Sequence, residues 1–73
     1  MNREKIVTDK LVNLAQNYNI DMDNTHNITD AQYCSDKIDT VCELATELGI
    51  RAEVKKDNDR ITAIFVNNKR TNI

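Results

Sequence analysis

The sequence predicts a small α+β fold, two amphipathic helices followed by a C-terminal antiparallel β-hairpin (ααββ). Three observations carry that prediction. Apolar residues recur every three or four positions, first over residues 3–18 and again over 30–48. The single glycine of the 73-residue chain, Gly49, falls directly after the second periodic segment. Beyond it the apolar spacing shortens to two, the period of a strand. A chain of this length has room for one domain, residues 1–73, and its 40% hydrophobic and 30% charged side chains match a globular protein rather than a disordered one.

In the first helix, about residues 3–18, Val7, Leu11, Leu14 and Tyr18 mark one face with Ala15 beside them. Asn2 suits the N-cap, and Glu4 sits in the first turn, where the helix dipole favours an anion. The Asn17-Tyr18-Asn19 stretch is a weak helix former and is expected to end the element. Residues 19–28 read as a connection, because Asp21, Asp23, Asn24 and Asn27 favour turns through their own backbone. The alternation of Tyr18, Ile20 and Met22 also fits a short strand.

The second helix, about residues 30–48, has a capping box at Thr29-Asp30-Ala31-Gln32. On a wheel centred on Cys34, residues Ala31, Ile38, Val41, Cys42, Ala45 and Leu48 share the apolar face. Asp36, Asp39, Glu43 and Glu47 gather on the opposite face, and Gly49 supplies the left-handed residue that closes the helix.

The hairpin, about residues 50–67, has Ile50, Ala52 and Val54 alternating with Arg51, Glu53 and Lys55, then the β-rich run 61–66. With Asn58 and Asp59 as a two-residue turn, Asp57 lies opposite Arg60, Val54 opposite Ala63, Ala52 opposite Phe65 and Glu53 opposite Ile64. The inner face is then Ile50, Ala52, Val54, Ile61, Ala63 and Phe65, which leaves Ile64 and Val66 pointing outward. Two outward β-branched residues predict a cover, a second copy of the chain in a homodimer or a partner protein, with the first helix or Ile73 folding over them as the equal alternative. Residues 68–73 read as a loosely ordered tail.

Chemistry is sparse. No apolar stretch approaches the length of a membrane span or a signal-peptide core, which points to the cytoplasm with both cysteines reduced. Eight residues along one helix hold Cys34 and Cys42 roughly 12 Å apart, too far for a disulfide. His26, Cys34 and Cys42 are too few and too scattered for a zinc site. The Asp21-x-Asp23-x-Thr25 run opens like a calcium loop, but His26 stands where its glycine belongs and Gln32 where its glutamate belongs. Neither Ser35 nor a cysteine sits in a nucleophile motif, and one glycine makes no phosphate-cradling loop. The expectation is a non-enzyme without metal or cofactor.

Charge is unevenly placed. Residues 1–18 carry net +1, residues 19–48 net −6 and residues 49–73 net +3, so the total of −2 hides a dipolar chain. The acidic ridge Asp36, Asp39, Glu43 and Glu47, together with Ile64 and Val66, is the expected protein-binding set, directed at a basic or nucleic-acid-binding partner protein. A solvated helix face is the plain alternative for the ridge. The competing function is a small dimeric nucleic-acid-binding protein using Arg51, Lys55, Lys56, Arg60, Lys69 and Arg70, interrupted by Glu53, Asp57 and Asp59. Size and an Asn-, Ile- and Lys-rich composition bring to mind accessory proteins of phages and mobile elements, many of which act by binding a host protein.

Overall fold

Asn2 starts the first helix as the sequence requires: its side-chain oxygen accepts the Lys5 backbone N–H at 3.1 Å. The computed structural model describes residues 2–24 and 28–73. Helix α1 runs Arg3–Asp23, past the expected end near residue 18. Asn costs a helix interior about 0.5 kcal/mol relative to Ala, and tertiary contacts offset that here. Tyr18 is buried, and the Asn19 side chain bonds the backbone of Ile61, donating to its C=O and accepting from its N–H, both at 2.9 Å. The short strand compatible with Tyr18, Ile20 and Met22 is therefore absent; all three are helical.

Helix α2 spans Ile28–Glu47. Thr29 already lies inside it, so the capping box does not form, and Gln32 instead donates along the helix to Asp36 Oδ1 at 3.0 Å. Thr25, His26 and Asn27 fall outside the described residues, and with them the middle of the calcium-loop pattern, whose Asp21 and Asp23 lie in α1 and whose Gln32 lies in α2. The C-terminal stop follows the expectation. Gly49 adopts φ +79°, its N–H bonds Thr46 C=O at 3.0 Å, and Ile50 N–H bonds Ala45 C=O at 2.8 Å. These two bonds form a Schellman closure, with Ile50 and Ala45 both buried.

Three strands follow: β1 (Ala52–Asp57), β2 (Arg60–Val66) and β3 (Lys69–Asn72), antiparallel in the order β1-β2-β3. Two turns connect them, Asn58-Asp59 and Asn67-Asn68, and all four residues have positive φ, as tight hairpin turns of primed type demand. The expected tail is thus an edge strand, pairing Val66 with Lys69 and Ala63 with Asn72. Ile73 extends the edge, donating its N–H to Thr62 C=O at 3.0 Å.

The register departs from the sequence prediction by one residue. Asp57 does pair with Arg60, but a bulge between Lys55 and Lys56 leaves Thr62 unopposed. Beyond it Val54 pairs with Ile64, Glu53 with Phe65 and Ala52 with Val66. One extra residue changes the parity of a strand and flips every later side chain. Ile61, Ile64 and Val66 therefore all face the helices, while Phe65 turns outward and Ala63, though buried between Lys55 and Asn72, stands outside the core cluster.

Both helices lie on one face of the sheet: α1 packs along α2 and across β2, and α2 leans on β1. Val7, Leu11, Leu14, Ala15 and Tyr18 of α1, Ala31, Ile38 and Ala45 of α2, Ile50, and Ile61, Ile64 and Val66 of β2 form the core. Cys34, Val41, Cys42, Ala52, Val54 and Ile73 pack on it, half-buried. Among the described residues no helix is long and apolar enough to cross a membrane.

Candidate functional site

Ile64 and Val66, expected at a binding surface, are 0% and 2% exposed. The β2 bulge turns them under α1, and the chain itself provides the cover that their apparent outward position called for. They are core, not surface. Phe65 takes the outward position in their place, with the Arg70 guanidinium 5.7 Å from its ring centre.

The four carboxylates of the ridge do emerge together on α2. Asp36, Asp39, Glu43 and Glu47 are all exposed, and among the described residues none of them forms an ion pair. Among the described residues, the single side-chain hydrogen bond to a ridge carboxylate comes from Gln32. Lys37, the one cation of α2, lies over the Tyr33 ring at 4.5 Å rather than on a carboxylate. An uncompensated negative stripe about 16 Å long results, from the 1.5 Å rise of eleven residues.

The six basic residues of the competing reading are not brought together. Arg60 pairs with Asp23 at the end of α1, Lys69 reaches Glu4 at 3.7 Å, and Lys56 lies over the Tyr18 ring at 5.0 Å. These three serve the contact between sheet and α1. Strand alternation puts Arg51, Lys55 and Arg70 on the outer face of the sheet, with Glu53 and Asp57 among them and Phe65 between Glu53 and Arg70.

One group of exposed apolar residues differs from the sequence expectation. Ile6, Ile20, Ile28, Tyr33, Leu44 and Leu48 are all more than half exposed, so Leu48 leaves the core face that the wheel gives it, and Ile20 and Ile28 do not pin the connection onto the core. The signal was available for Tyr33, which falls outside the apolar arc centred on Cys34, while Leu44 sits at the arc's edge.

Both cysteines are free and half-buried on α2. Burial, with the carboxylate of Asp21 3.8 Å from Cys34 Sγ, pushes the Cys34 thiol up. Burial, with Asp39 and Glu53, does the same for Cys42. A raised thiol stays protonated at neutral pH and is a poor nucleophile. The cleft between the start of α1 and β3 is lined by Glu4, Lys5, Thr8, Asp9 and Lys69 among others, with Lys5 bonded to Asp9 at 2.8 Å. Among the described residues no three His, Cys, Asp or Glu side chains converge as a metal site.

The fold and surface define a small α+β protein with a two-helix layer on a three-stranded meander, one helix of which is acidic on its free face. No protein-family model, curated protein or solved structure matches the chain.

Proposed function

We propose that this protein is a small intracellular binding module, without catalytic activity, that modulates or inhibits a partner protein by presenting the acidic face of α2 to a basic surface. The observation that carries this reading is the unpaired ridge Asp36, Asp39, Glu43 and Glu47 on a helix whose one cation is turned to Tyr33. A surface selected only for solubility tends to intersperse charges of both signs, and this helix does not. Complementary charge of this kind raises association rate and selects partners, and it weakens with salt. An accessory protein of a phage or mobile element acting on a nucleic-acid-binding host factor fits the reading. The test is affinity capture from a bacterial lysate with the wild-type chain and with Asp39→Lys/Glu43→Lys. The charge-reversed variant is expected to lose the captured partner, and unchanged capture refutes the ridge.

A second reading gains one observation. Phe65 stands on the outer face of the sheet with Arg70 above it and Lys55 nearby in the strand pairing, an arrangement suited to stacking a base of single-stranded nucleic acid. Against it, half of the basic set is committed to α1. A mobility-shift titration at low salt decides: a shift lost in Phe65→Ala and steeply salt-dependent supports it.

A further inference from the structure

Five of the six exposed large apolar side chains of the two helices, all but Ile28, share one surface, and the ridge runs along its edge. Measured around α1 from Tyr18, Asn19 points at roughly +100° and bonds β2, Asp21 points at roughly −60° and meets Cys34 of α2, while Ile6 and Ile20 lie at roughly −120° and −160°. Both isoleucines therefore face away from the sheet, toward the α2 side. Measured around α2 from Cys34, which faces α1, Leu48, Leu44 and Tyr33 lie at roughly −40°, −80° and −100°, again away from the sheet. The ridge begins directly beyond them, with Glu47 and Asp36 at roughly −140° and −160°. Tyr33 is 61% exposed and Leu44 and Leu48 are each 54% exposed. From Tyr33 to Leu48 the surface extends about 22 Å, the length of a helix of about fifteen residues.

We propose that this outer surface of the α1–α2 pair docks a cationic amphipathic helix of the partner protein. Its apolar side would cover Tyr33, Leu44, Leu48, Ile6 and Ile20, and its Lys/Arg flank would face Asp36, Glu43 and Glu47. The inference rests on the binding-module reading and deepens it by naming the partner's chemistry. The ridge favours a cationic flank along its edge, although Lys37 of α2 and Arg3 and Lys10 of α1 lie within the surface itself, at roughly −60°, −60° and −80°. Two copies stacked antiparallel, α2 on α2 about a two-fold axis, place both acidic ridges on the same side, where like charges repel. An anionic lipid surface is repelled by the same ridge. A helix laid between two others buries its stripe in the groove and completes a third layer on the sheet.

The probes are two labelled model peptides of about four turns, each with leucines at helical i, i+3, i+4 and i+7 spacing. One carries lysines along one flank and its twin carries glutamates there; binding is read by fluorescence anisotropy. The lysine peptide is expected to bind at least about tenfold more tightly than its twin. Leu44→Ser/Leu48→Ser, at exposed positions, should weaken it about tenfold with the thermal transition unchanged. Asp36→Lys/Glu47→Lys should erase the preference between the twins. Equal binding of both peptides, no binding at about 1 mM, or indifference to the leucine substitutions overturns the proposal. So does vesicle binding that the leucine substitutions abolish, or self-association that they relieve. If the leucine substitutions are indifferent while Asp39→Lys/Glu43→Lys still loses the captured partner, the docked helix is refuted and the acidic binding module stands. If both sets are indifferent, both fall.

Discussion

Asn19→Ala isolates the contact that carries α1 past its expected end. The Asn19 amide takes both the N–H and the C=O of Ile61, each at 2.9 Å, in a part-buried setting. Beyond the stretch that β3 pairs, residues 63–66, this side chain stands in for a strand partner. Two hydrogen bonds at about 0.5–1.5 kcal/mol each give about 1–3 kcal/mol. The better helix propensity of Ala returns roughly 0.5 kcal/mol, leaving a net loss of about 0.5–2.5 kcal/mol. For a domain of this size the middle of that range lowers Tm by about 6–12 °C. Circular dichroism melts and urea titrations read it, and amide exchange at Ile61 should accelerate in the variant. Asn17→Ala is the control: exposed in the same helix, with one bond to Asn13 at 3.3 Å, it should be neutral or slightly stabilising. Equal melting of the two variants, or a stabilised Asn19→Ala, refutes the assignment.

Further outcomes follow from the same physics. Ile64→Ala should cost about 2–5 kcal/mol, as a fully buried side chain does, while Phe65→Ala costs about 1 kcal/mol; urea unfolding in which the order is reversed would restore the unbulged register. Gly49→Ala meets no atom within 4 Å, so only the positive φ is strained, and chemical denaturation should show a loss of about 1 kcal/mol. For Cys42, burial and then Asp39 and Glu53 raise the folded pKa above the unfolded one. Stability is therefore complete below the ordinary thiol range and is lost as pH rises through the folded value. Alkylation by iodoacetamide near pH 8 should accordingly be slower in the folded chain than in urea, and equal rates would refute the shift.

Much of the architecture was legible because it is written in local chemistry. Asn2 caps the first helix, Val7, Leu11, Leu14 and Tyr18 face the core, and Gly49 stops the second helix with its left-handed backbone. The acidic ridge followed from wheel angles alone, since a charged residue opposite a core face has nowhere to go but water. The third strand was hidden for a different reason. Lys69, Arg70, Thr71 and Asn72 carry no hydrophobic alternation, and their pairing with β2 is through backbone. The Asn67-Asn68 pair was its one visible signal, because asparagine tolerates positive φ.

By itself, then, the sequence determined the helices, their order, the first turn and the separation of charge, all of which depend on residues a few positions apart. Tertiary structure alone decided which side of β2 is core. The unopposed Thr62 changes the parity of the strand, and no alternation pattern records a bulge. With it, Ile64 and Val66 go from apparent surface to core and Phe65 goes from apparent core to surface. The length of α1 was decided the same way, by an asparagine whose bonding partner lies 42 residues away.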